Sequence, residues 1–211
     1  MRSTGTGAPV GVSIRVPDSW YEFDIHPAGR DDNIRKAVNK RVRAYPELAP
    51  YRPMLLRILR QSARDAWDSG AVYCGCYADA LDAETPVTAG LTMAVVDTRR
   101  DDGSPLDTDP QAMAKRFPAK QAQHADDTWQ RVSVLELVDA GTAVRTEGVE
   151  DLPVPGTRRS ARMITMQTFV RVPGSPDRVA VVTATSPNLP LQDPFLELFD
   201  AISATFCFTY A

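Results

Sequence analysis

The end of the chain constrains the fold most. Arg162 to Val172 and Arg178 to Thr185 are β-type runs joined by Pro173-Gly174-Ser175-Pro176-Asp177, so they predict a hairpin. A helix is expected next. Asp193 suits an N-cap, Pro194 suits the first helical position, and Phe195, Leu198, Phe199 and Ile202 recur on one face. Burying those four side chains contributes on the order of 6 to 12 kcal/mol before entropy is subtracted. The surface that can receive such a stripe is a sheet, and Phe206-Cys207-Phe208 reads as a short last strand.

The preceding chain supplies that sheet. Val12, Ile14 and Val16 alternate with polar residues until Pro17-Asp18, and Trp20, Phe23 and Ile25 resume extended structure. Ala71 to Leu81 and Val87 to Val96 flank a turn at Asp82 to Pro86 and predict a second hairpin. Trp129 to Val138 reads as a strand answered by Thr142 to Thr146, with Leu152-Pro153-Val154-Pro155-Gly156 as a connector. Two helices interrupt the strands. In the first, Asp31 or Asp32 is the expected cap and Ile34, Val38, Val42 and Tyr45 form the stripe; Pro46, Pro50 and Pro53 break it. In the second, Leu55, Leu56, Leu59, Ala63, Ala66 and Trp67 share a face that ends at Ser69-Gly70.

The expected class is therefore α+β, a mostly antiparallel sheet with helices packed on it. Residues 1–9 are expected to be a disordered lead-in and 10–211 one domain, with a helical insertion over 31–69 and a long polar loop over 97–128. That loop holds one short helical piece near Pro110 to Phe117 and suits a lid, a binding loop or a disordered connection. The chain of 211 residues is long enough to bury a sizeable core. Its first residues lack the apolar stretch of a secretory signal, and no apolar run is long enough to span a bilayer, so a cytoplasmic protein is expected.

Charge is unevenly spread. From Arg30 to Arg64 ten basic residues face three acidic ones, a local charge of +7 that leaves −10 for the remainder of a chain whose net charge is −3. The exposed members expected to matter are Arg35, Lys36, Lys40, Arg43, Arg57 and Arg60, and a protein partner with an acidic surface is the expected ligand. A solvated helix face paired with the acidic body is the plainer alternative. Nucleic acid is a further alternative, because Tyr45, Tyr51 and Trp67 lie close to the same cations.

Other chemistry is sparse. Cys74 and Cys76 sit one residue apart in a strand and share a face with Val72 and Ala78, while Tyr73, Gly75 and Tyr77 take the other. A closed zinc site needs about four ligands. Beyond these two the chain has only Cys207, His26 and His124 of the soft ligand types, at no ligand-like spacing, so no metal and no cofactor are expected. Reduced, largely buried structural cysteines are expected instead. Nucleophile elbows, zinc-protease helices and phosphate loops are absent. The residual catalytic alternative is His26 oriented by Asp24, with His124 beside Asp126 and Asp127 as a weaker site.

Val12-Ser-Ile-Arg-Val-Pro-Asp-Ser-Trp20 at the front, with Val179-Ala-Val-Val-Thr-Ala-Thr-Ser-Pro187 and Phe195 to Phe208 at the back, resembles the PsbP-like α/β sandwich. The resemblance implies a mostly non-enzymatic role, since proteins of that fold serve as extrinsic photosystem subunits, a Ran-binding factor, bacterial lipoproteins and chaperones for secreted effectors. It carries no catalytic residues. The expected function is a non-catalytic protein-binding module, an adaptor or chaperone-like accessory protein.

Overall fold

A computed structural model describes residues 8–80, 86–100, 102–124, 127–154 and 157–211. The described residues form nine strands and four α-helices. The strands are β1 (Gly11–Ser13), β2 (Tyr21–Phe23), β3 (Ala71–Ala80), β4 (Pro86–Asp97), β5 (Trp129–Leu137), β6 (Gly141–Pro153), β7 (Ser160–Arg171), β8 (Arg178–Ser186) and β9 (Cys207–Thr209). The helices are α1 (Arg30–Ala44), α2 (Arg52–Asp68), α3 (Pro110–Ala114) and α4 (Gln192–Ser203). Seven strands make one antiparallel sheet in the order β2-β3-β4-β8-β7-β6-β5, and β1 pairs with β9 in a separate ribbon. The α+β class and the antiparallel sheet are as the alternation patterns predict.

Strand parity sorts the side chains onto two faces. On one face Leu91, Met93, Ile164, Met166, Val170 and Val182 pack against α4, the β1-β9 ribbon and the link between them, which supply Phe195, Phe199, Ile202, Phe206 and Phe208. Arg145 is buried there. Its guanidinium donates to the Thr168 hydroxyl at 3.3 Å and the Ser203 hydroxyl at 2.6 Å, and it forms an ion pair with Asp200, tying α4 to the sheet. The opposite face carries α1 and α2 over β2 and β3, and α3 over β5 and β6.

Several boundaries differ from expectation, each for a local reason. α1 starts one residue before Asp31, with Gly29 at its cap and no side-chain cap, because the Asp24 carboxylate fills the space that a side chain at position 29 would need. Asp31 and Asp32 lie in the first turn, where they complement the helix dipole. Pro46 and Pro50 lie in a 3-10 turn (Pro46–Tyr51), and Pro53 lies in the first turn of α2, where its missing N–H costs nothing. β1 stops at Ser13, because the Arg15 amide donates to the Thr205 hydroxyl (2.8 Å) and not to a strand. β6 runs far past Thr146, through Leu152 and Pro153, because β7 pairs along its whole later half. α4 starts at Gln192, continuing a 3-10 turn (Leu189–Leu191), so Asp193 sits inside the first turn and is not the cap. The expected β3–β4 turn and most of the lead-in fall largely outside the described residues.

Candidate binding site

The helical pair is fastened to the sheet by a small apolar cluster. Ile34 and Val38 of α1 and Ala63 of α2 are buried with Ile25 and Ala71, while Leu55, Leu56, Leu59, Ala66, Phe23 and Cys74 are half-buried around them. The expected stripes thus face inward except at their ends, where Tyr45 and Trp67 are exposed. The contact is incomplete at one end, where a cavity of ≈ 370 Å³ opens between the helices and β2 and β3. Its walls are apolar, from Phe23, Val38, Leu48, Leu55, Leu59 and Cys76.

Arg41 guards this groove. It donates to the Ala78 carbonyl (2.8 Å) and the Tyr21 hydroxyl (3.3 Å), lies 3.6 Å from the Asp79 carboxylate, and stacks over the Tyr45 ring at 4.1 Å. Arg41 therefore points inward and leaves the outer basic face. The reading of the stripe missed this, although the spacing Ile34, Val38, Arg41, Tyr45 carries the signal: a cation on the buried side of a helix needs partners there.

Five of the six basic residues singled out from the sequence line two patches on the outer side of the same layer, and Arg35 stands apart from both. Lys36, Lys40 and Arg43 are exposed on α1 around a shallow cleft with Asn39. Arg57 and Arg60 line another on α2 with Arg52 and Arg64. Arg35 is paired with Asp32 (2.9 Å) and Arg60 approaches Asp31 (3.5 Å), so the body-charge pairing accounts for part of the segment. Lys36, Lys40, Arg43 and Arg57 have no ion pair among the described residues. Exposed apolar side chains collect here too: Tyr45, Met54, Trp67 and, at 55% and 49% exposure, Tyr51 and Ile58. Met54 and Ile58 share the solvent side of α2, and Tyr51 immediately precedes that helix.

Among the described residues the carboxylates beside the two histidines bond to backbone amides. Asp24 accepts from the backbone N–H of His26 (2.9 Å), not from its ring; Nδ1 of His26 accepts from the Ala28 amide (3.3 Å), and the ring stands edge-on to Trp67. Asp127 likewise accepts from the backbone amides of Gln123 and His124, and Asp126 lies outside the described residues. Both carboxylates cap turns.

Cys74, Cys76 and Cys207 are free and half-buried, less buried than expected. Burial pushes the Cys74 thiol up to about 11. Burial first, then the Cys74 neighbour, pushes Cys76 up to about 12, against the pull of Arg41. Both are neutral fillers at ordinary pH. Among the described residues no three His, Cys, Asp or Glu side chains gather as a metal would require, and no helix is long and apolar enough to cross a membrane.

No family model matches the chain, and no curated protein is significantly similar to it. Among solved structures, the crystal structure of LpqN, involved in cell envelope biogenesis of Mycobacterium tuberculosis, is similar at 14% identity and a TM-score of 0.42, over 99% of this chain and 88% of that one.

Proposed function

We propose that the chain is a non-catalytic protein-binding module whose helical layer docks an acidic, amphipathic segment of a protein partner. One observation carries the reading: exposed cations without ion pairs (Lys36, Lys40, Arg43, Arg57) and exposed apolar side chains (Tyr45, Tyr51, Met54, Ile58) share one layer, above an apolar groove. An apolar side chain of the partner enters between Leu48, Leu55 and Leu59, and its carboxylates meet the α1 cations. This is helix-in-groove recognition with electrostatic steering. The strand, 3-10 turn, helix and short strand over β8 to β9 also support the resemblance to PsbP-like sandwiches, which agrees with an accessory role.

The test uses a fluorescent peptide with Leu at helical spacing and Glu elsewhere. Binding should weaken as salt rises, and the variant Lys36→Glu, Lys40→Glu, Arg43→Glu, Arg57→Glu should lose roughly tenfold or more in affinity while remaining folded. Equal binding by the reversed protein defeats the proposal. Mixed-sequence DNA is the control, because a nucleic-acid binder would take it up at low salt and lose it stepwise with each reversed charge.

A further inference from the structure

The groove between the helical pair and the sheet owes its size to small side chains. Strand parity turns Cys76 and Ala78 of β3 toward the helices, with Tyr21 of β2 opposite Cys76 and Thr88 of β4 opposite Ala78. These side chains form the floor. Over it α1 contributes Ala37 and Val38, α2 contributes Leu55 and Leu59, and the 3-10 turn contributes Leu48. Ala37, Cys76 and Ala78 stand where a larger aliphatic side chain would fill the space, as Ile34 does at the closed end with Ile25 and Ala71. All three are half-buried, so solvent reaches them.

The dimensions set what can enter. Cys76 and Ala78 lie two residues apart along their strand, roughly 7 Å, and the floor runs from β2 across β3 to β4, roughly 10 Å. Side chains one turn apart on a helix are about 6 Å from each other, so two of them fit over such a floor. A cavity of about 150 Å³ takes one benzene ring. This groove holds ≈ 370 Å³, room for two rings and not for a third.

We infer that the groove takes two bulky apolar side chains of a partner helix, at i and i+4, in the one cavity. The inference rests on the docking of an acidic amphipathic segment proposed above and names its anchors. A single anchor would leave more than half of the volume as water against apolar walls, which a second anchor displaces. Anchors at i and i+2 point to different sides of a helix, so only one of them enters. The flanking charges suit the same partner: Lys40 and Arg43 are exposed on α1 within two residues of Arg41 at the groove, where carboxylates beside the anchors meet them.

The experiment titrates the full chain with fluorescent helical peptides of Glu and Ala that carry Phe at i and i+4, at i alone, or at i and i+2. The i, i+4 peptide should bind about tenfold or more tighter than either of the others. Ala78→Leu fills the floor and Ala37→Leu fills the wall, and each should remove that advantage while the single-anchor peptide still binds in a salt-dependent way. Equal affinity of the three peptides, an i, i+2 peptide that matches the i, i+4 peptide, or an advantage that survives both substitutions would overturn the two-anchor site alone. Failure of all three peptides to bind, or binding indifferent to salt and to reversal of Lys36, Lys40, Arg43 and Arg57, would overturn the proposed docking and the two-anchor site with it.

Discussion

The two faces of the large sheet are covered in different ways. Under α4 and the β1-β9 ribbon, Phe199 and Phe206 are fully buried, aromatic rings pair, and Arg145 is held by three partners. Under α1 and α2 only Ile34, Val38 and Ala63 of the helices are buried, a groove remains, and apolar side chains point to solvent. One face is a core and the other is half core, half surface. Free energy of opening varies within a protein in the same way, and binding layers are drawn from its low end. On the proposed reading, stability belongs to the first face and recognition to the second.

The largest expected effect is on the first face. Phe199→Ala should cost about 3–5 kcal/mol in denaturant unfolding, because a large side chain is removed where nothing can collapse into the space. A loss under about 1 kcal/mol would break the comparison there. Arg145→Leu should cost about 1–3 kcal/mol, since it leaves the buried Thr168 hydroxyl and the Asp200 carboxylate without their donor. Hydrogen exchange should report faster opening of α4 in that variant.

On the second face Leu59→Ala should cost only about 1–2 kcal/mol, because the side chain is half-buried and already borders the groove. It should weaken the acidic peptide more than it weakens the fold. A loss equal to that of Phe199→Ala would mean that the helical layer is core after all.

At neutral pH the smallest effect concerns the thiols beneath that layer. An unfolded thiol releases its proton near 9.0, whereas folded Cys74 holds its proton to about 11 and Cys76 to about 12. The folded pKa values are raised, so the stabilisation is fully present below about 9 and declines as pH rises toward 11 or 12. Comparing the protein with a Cys74→Ala, Cys76→Ala variant between pH 8 and 11 should show a flat difference at first and a shrinking advantage of the thiols thereafter. A difference that grows with pH would contradict the burial of these groups.

Legibility in the sequence follows the same division. The α4 stripe and the β7–β8 hairpin are plain because single-period patterns are written there in Phe, Ile, Val and turn residues. The length of β6 past Thr146 is hidden by Glu147, Glu150 and Asp151: such a run of acids does not read as a strand until Arg131 is found paired with Glu147 and Arg162 with Asp151. The basic patches were visible as charge. The groove was not, since it depends on Arg41 turning inward and on how far apart the 3-10 turn holds α1 and α2.

The most direct test of the central claim maps backbone amide shifts of the isotopically labelled chain on adding the acidic amphipathic peptide. The account predicts perturbations concentrated at Ile34 to Leu59 and at Cys76 to Asp79, lost in the variant with Lys36, Lys40, Arg43 and Arg57 reversed. Perturbations centred on the β5 edge or on α4, or spread evenly and unchanged by charge reversal, would contradict it.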